Sequence, residues 1–310
     1  GDDTCASHYN WQKHDLELML VAARKQGVPM IIGSAGDTGT NSRVDMYVDI
    51  IKDLAKKHNI PKFKLAYFYS NVDKQYLYDK LKKDVRVEGL EGYNDLTPEI
   101  LDKTNRIVAV AGVHPYIQAL ESGADVIIGG RSSDIAIFAA PAIKEGFPEN
   151  LSYYLGKVLE CASFCAEPYG AKESVTKDDV KVTAMHPKQR CTIASVAGHA
   201  MYERSNPYYE YFAGGMIDMS QCKYEQFDEK TCRITNPKYI PIEGKIKVKL
   251  EGSGKVGERY IGIAGIRDPY SIKNIDKVLD WARSQVKERF PNEKYHLNYR
   301  VFGKNGVMGD

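Results

Sequence analysis

The stretch Val28-Pro29-Met30-Ile31-Ile32-Gly33-Ser34-Ala35-Gly36-Asp37-Thr38-Gly39-Thr40-Asn41 decides how the chain is read. An apolar run breaks into a glycine-rich loop, and Arg43 to Lys57 then sets Val44, Tyr47, Val48, Ile51, Leu54 and Ala55 at helical spacing. The order strand, loop, helix recurs. Further apolar runs at Phe63 to Tyr69, Arg106 to Ala111 and Ala124 to Gly129 precede the helical patterns Asp73 to Lys83, Pro115 to Ser122 and Asp134 to Cys165. Another helical pattern, Asp15 to Lys25, leads into the first run. Asp73, and Thr97 followed by Pro98, have the chemistry of helix starts. Strands this apolar are covered on both faces, so the pattern predicts an α/β fold with a doubly wound, mostly parallel sheet. Ligands of such sheets sit at the carboxyl ends of the strands.

Beyond the helical stretch the pattern changes. Alternating runs at Val180 to Met185, Lys245 to Leu250 and Tyr260 to Ile263 predict half-wet strands, and Glu251-Gly252-Ser253-Gly254 reads as a hairpin turn. Ser271 to Phe290 reads as an amphipathic helix stopped by Pro291. The expectation is a Rossmann-like α/β domain over residues 1–170 and a smaller α+β domain over 171–310.

Composition narrows the partners. With 43 Lys+Arg against 41 Asp+Glu the net charge is +2, which provides no field for a polyanion and points away from nucleic acid. The longest apolar stretch, Ile135 to Ile143, is about half of the roughly 18 residues a spanning helix needs, so no membrane is expected. Gly1 to Asn10 is polar and lacks the order of a secretory signal. Six cysteines in 310 residues are too sparse for a disulfide scaffold and read as reduced thiols of the cytoplasm.

Three loops at strand ends carry polar chemistry. In Gly33-Ser34-Ala35-Gly36-Asp37-Thr38-Gly39 the glycines let backbone amides approach a ligand, and the following helix start favours an anion. The loop has neither the lysine of a phosphate-binding P-loop nor dinucleotide glycine spacing. In Gly129-Gly130-Arg131-Ser132-Ser133-Asp134, Arg131 offers a planar fork to a carboxylate or phosphate, while Gly130, Ser132 and Ser133 line the same edge. Asp134 is a proton-moving group here; the structural alternative has Asp134 or Ser133 capping a helix and Arg131 pairing with an acid. Gly112-Val113-His114-Pro115 adds an imidazole that serves either as acid or base, or only as a helix start. Asp125, at the start of a strand, belongs to the opposite end of the sheet. Gly265-Ile266-Arg267-Asp268-Pro269 repeats the Arg–Asp pair: Arg267 either closes over the pocket or fixes a turn.

Cys161 and Cys165, four apart on one face of a predicted helix, and Cys191 before another helix form a thiol set that could take zinc or an iron–sulfur cluster. Their spacing matches no standard motif, and the competing reading makes them small core residues. His186 and His199 read as hydrogen-bonded structural residues.

Several motifs together resemble the acyclic terpene utilisation (AtuA-type) family. They are Gly33 to Asn41, Gly123 to Asp134, Leu159-Glu160-Cys161, Cys191-Thr192, Ser195 to His199 with Tyr202-Glu203, Gly214-Gly215 with Asp218, Lys249 to Gly252 and Gly265 to Pro269. They run in order through nearly the whole chain. The resemblance implies chemistry on branched acids carried as CoA thioesters, with a lyase-type step, and no fixed substrate. Family chains usually begin with an extra strand and Gly-containing loop ahead of Gly1 and run on past Gly303 to Gly309, so it also implies the middle of a longer protein.

Three functions follow as expectations. The first is a lyase or hydro-lyase on a small hydroxycarboxylate or its CoA thioester, with Arg131 and the amides of Gly33 to Gly39 holding the anion and Asp134 or His114 moving a proton. The second is a thiol- or metal-dependent enzyme built on Cys161, Cys165 and Cys191. The third is a non-catalytic binding or assembly subunit of a homo- or hetero-oligomer.

Overall fold

The computed structural model describes all residues except 1, 2, 4, 6, 91, 168–170, 245 and 305–310. It divides into two compact units, Gly1–Lys255 and Val256–Asp310, and the expected boundary at 170/171 falls inside the first.

The first unit begins with α1 (Tyr9–Gln26), β1 (Met30–Ile32), α2 (Asn41–Lys57), β2 (Leu65–Tyr67), α3 (Lys74–Leu81) and α4 (Pro98–Lys103). It continues with β3 (Arg106–Ala109), α5 (His114–Glu121), β4 (Val126–Ile128), α6 (Ala136–Lys144) and α7 (Glu149–Leu159). Asp73 and Thr97 accept the amide hydrogen bonds that start α3 and α4. Strands β1, β4 and β2 form a parallel sheet in that order, pairing Met30 and Leu65 with Val126 on either side. Side chains alternate across a strand, so β4 feeds two cores. Val126 and Ile128 pack with Leu16, Leu20, Val44 and Ile51 of α1 and α2, while Ile127 packs with Tyr116, Ile135, Ala139 and Tyr154 of α5–α7 and the α6 approach.

The third strand departs from expectation. β3 does not extend the parallel sheet; it pairs antiparallel with β12 (Leu250–Ser253), in register Leu250↔Ala109 to Ser253↔Arg106. Thus residues 251–253 are strand rather than turn. Leu250 explains the placement, because it packs against the Leu77, Leu101 and Ile107 cluster beneath β3. Of the expected alternating run Lys245 to Leu250 only Leu250 joins a strand; 246–249 form none, Ile246 and Val248 face solvent, and Lys245 lies outside the described residues.

After α7 come a 3-10 turn (Ala162–Cys165), β5 (Ala171–Val175), β6 (Val180–Ala184), α8 (Ile193–Ala200), β7 (Tyr209–Phe212), β8 (Gly215–Asp218), β9 (Lys223–Asp228), β10 (Thr231–Thr235) and β11 (Lys238–Pro241). They make two antiparallel sheets, β5-β6-β10-β9 and β11-β8-β7. Val180, Val182, Cys232 and Ile234 join the core under α7, so the antiparallel half shares that core with the α5–α7 layer.

In the second unit Asp268 caps α9 (Pro269–Lys273), and Asn274 separates it from α10 (Ile275–Arg289), so the single expected helix is two. Tyr260 to Ile263, expected as a strand, is irregular and exposed. No helix among the described residues is long and apolar enough to cross a membrane.

Candidate functional site

Parallel strands end with unpaired backbone groups, and the loops leaving β1 and β4 satisfy one another. The amides of Ser34 and Ala35 donate to the carbonyls of Gly130 and Gly129 at 3.2 and 3.1 Å, and Arg131 N donates to Gly39 O at 2.9 Å. The chain beyond β3 joins them: Ala111 N donates to Arg131 O at 3.0 Å and Ser133 N to Ala111 O at 2.8 Å. Three loops far apart in sequence are thereby knitted into one rim.

This knitting corrects one expectation. The amides of Ser34, Ala35, Thr38 and Gly39 all donate to carbonyls within the chain, so they are not offered to an anion. Gly39 allows the close approach. Its φ is +60°, and a Cβ there would lie 2.2 Å from Arg131 N.

Side chains tighten the junction. Ser34 Oγ accepts from Arg131 Nη1 at 3.1 Å and from Ser132 N at 3.2 Å, and buried Tyr116 shares a 2.6 Å hydrogen bond with Ser132 Oγ. Arg131 grips Glu251 through Nε–Oε2 at 2.6 Å and Nη2–Oε1 at 3.3 Å, and Lys249 Nζ sits 2.5 Å from the same carboxylate. Burial disfavours the Glu251 charge, but its hydrogen bonds from Arg131 and Lys249 outweigh this and hold the carboxyl below the usual range. The arginine's fork is therefore engaged by a carboxylate of the chain itself, on β12.

Asp134 is exposed and is not spent as a cap, because Ile135 is the residue that caps α6 and no side chain caps the helix. Its charge reaches Tyr116, Arg131, Glu160 and Cys161. His114 opens α5, also exposed, with Cε1 3.8 Å from where a Gly214 Cβ would stand. Gly33, Gly36, Asp37, Thr38, Gly130 and Ser133 belong to the knitted loops, whereas Arg267 is an exposed residue of the second unit. Asp125 is tied to Arg24 at 2.6 Å and to Lys64 N at 2.8 Å, at the start of β4.

The thiols do not assemble. α7 stops at Leu159, so Cys161 and Cys165 bracket a 3-10 turn instead of sharing an α-helical face. Cys165 and Cys191 are buried core residues, and no group of three or more His, Cys, Asp or Glu among the described residues is placed to hold a metal ion. Burial, with the nearby Glu160, pushes the Cys161 thiol up, away from thiolate.

A second polar cluster was invisible to motif reading. Lys157, with 4% of its side chain exposed, pairs with Glu160, and its Nζ lies 3.5 Å from Glu210 Oε2. Arg204, 6% exposed, approaches Glu210 at 3.0 Å and donates to Ala200 O at 2.8 Å. His199 Nε2 meets Val158 O at 3.1 Å, while its buried Nδ1 has no partner. Burial, with Lys157 and Arg204 close by, keeps this imidazole on the neutral side of its ordinary value. The signal in the sequence was a lone lysine inside Leu155-Gly156-Lys157-Val158-Leu159, three residues before a glutamate.

Fold and rim together define a mixed α/β protein whose polar loops converge at the ends of parallel strands. The chain belongs to the acyclic terpene utilisation family, AtuA, whose model matches residues 4–308. No curated protein and no solved structure matches it.

Proposed function

We propose that the protein is a lyase- or hydro-lyase-type enzyme acting on a small hydroxycarboxylate or its CoA thioester. The observation that carries this reading is an exposed Asp134 left free of capping duty on a rim that also presents Arg131 and His114. Asp134 takes the proton next to the substrate carbonyl, and His114 exchanges a proton with the leaving group. Arg131 binds the substrate carboxylate through its fork once Glu251 yields, and Lys249 retains the displaced carboxylate. Family membership supports the thioester class without naming the acid.

A panel of 3-hydroxyacyl-CoA thioesters and their free acids, assayed for cleavage and for dehydration, tests the reading. Asp134→Asn should lower kcat by about 10²- to 10⁴-fold on whichever member reacts. Wild-type turnover in that variant would remove Asp134 from the chemistry. Glu251→Gln should free the Arg131 fork and lower KM for the carboxylate several-fold. A raised KM would mean instead that Glu251 positions the arginine for binding.

A further inference from the structure

Asp3 sits in a cage of donors beside the rim, at the first turn of α2. Thr40 stands at the cap position of this 17-residue helix, yet its hydroxyl makes no capping bond, and the first turn holds no acidic residue. The hydroxyls of Thr40 and Ser42 donate instead to the two carboxylate oxygens of Asp3, 37 and 39 residues earlier in the chain. Two guanidinium groups face the same carboxylate, Arg43 Nε at 3.4 Å and Arg106 Nη2 at 3.4 Å. Burial disfavours the Asp3 charge, but the hydrogen bonds from Ser42 and Thr40, with Arg106 and Arg43 close by, outweigh this and hold the carboxyl below its ordinary range. Thr40 follows Gly39, whose carbonyl accepts Arg131 N, and Arg106 lies two residues along β3 from Val108, the register partner of Glu251. The cage thus flanks the Arg131–Glu251 pair.

The carboxylate does not satisfy this cage. Its two oxygens take the two hydroxyls, and Arg43 Nε, shut off from solvent, is left without a hydrogen-bond partner. Arg43 Nη1 bonds sulfur, Cys5 Sγ at 3.5 Å and Met46 Sδ at 3.7 Å, and the Arg106 side chain meets Asp3 as an ion pair. No other carboxylate among the described residues pairs with either arginine, so two positive charges face one negative charge. A phosphate monoester brings three acceptor oxygens and close to two negative charges near neutral pH, which fits what the carboxylate leaves open. We propose that Thr40, Ser42, Arg43 and Arg106 form a subsite for the phosphate of a ligand, with Asp3 as its internal stand-in, displaced when the phosphate binds. The subsite is separate from the Arg131 fork and does not rest on the lyase reading. Binding exchanges one anion for another on the same donors, so Asp3 sets the selectivity: a monocarboxylate gains nothing over the residue it must displace, whereas a dianion does.

Phosphorus NMR titration of the full chain with inorganic phosphate at neutral pH tests the exchange. Asp3→Asn keeps the shape and removes the competing charge, so it should bind phosphate about 10-fold or more tightly than the wild type, and acetate should not compete. Adding Arg106→Gln to Asp3→Asn should return the affinity to the wild-type level or below. Equal affinity in Asp3→Asn and the wild type overturns the stand-in and leaves Asp3 a plain ion-pair partner of the α2 start. A gain that survives both Arg106→Gln and Ser42→Ala puts the phosphate elsewhere and overturns the subsite. Should Asp3→Asn unfold in phosphate-free buffer, circular dichroism decides: restoration by phosphate and not by acetate supports the exchange, and no restoration by phosphate overturns it. Competition by CoA and by CoA lacking its 3′-phosphate then separates the sources. Stronger displacement of phosphate by CoA ties the subsite to a thioester carrier, and equal displacement assigns it to free phosphate; each result supports the subsite, and neither decides whether the protein is a lyase.

Discussion

Lys157→Ala should cost about 3–5 kcal/mol of stability, because it strands the Glu160 carboxylate and leaves Glu210 with Arg204 alone. Lys157 is almost wholly buried, and Glu160 and Glu210 are mostly so, at 12% and 21% side-chain exposure. Urea denaturation followed by circular dichroism measures the loss. The double variant Lys157→Met with Glu160→Gln, which removes one charge of each sign and keeps the volume, should recover most of it. A single variant that loses less than about 1 kcal/mol would show that water already reaches the pair.

Gly39→Ala should cost about 2–5 kcal/mol, the sum of a left-handed backbone penalty and a steric collision. The added methyl meets Arg131 N at 2.2 Å and Arg131 Cα at 2.4 Å, both backbone atoms that no rotamer can move. The Arg131 N to Gly39 O bond must break, and with it the link between the β1 and β4 loops. Thermal unfolding gives the magnitude, and hydrogen exchange at the Arg131 amide locates it. Unchanged protection of that amide would show that the loops are held together by other means.

How far the sequence could be read depended on whether a signal was local. β1, β2 and β4 are continuous apolar runs, and Asp73 and Thr97 act within three residues of themselves, so these elements could be placed from neighbours alone. The rim was also legible, since glycines after apolar runs mark strand-end loops. The partner of β3 was not, because its pattern states that it is buried without stating against what, and β12 arrives about 140 residues later. For the same reason Glu251 looked like part of a turn and Arg131 like an open anion fork. The Lys157 cluster takes Glu210 and Arg204 from beyond α8, a convergence that no spacing rule encodes. The amides of Ser34, Ala35, Thr38 and Gly39 turn to the chain's own carbonyls for a different reason: glycine content reports that backbone can come close, and it does not say to what.

The pairing of β12 with β3 also has a meaning for how the protein is made. A nascent chain that has not yet released Leu250 to Ser253 from the ribosome carries β3 with one naked edge and Arg131 without its counter-charge. The Arg131–Glu251 grip therefore forms only when the last strand of the first unit docks, and a pairing between segments about 140 residues apart is of the long-range kind that slows folding.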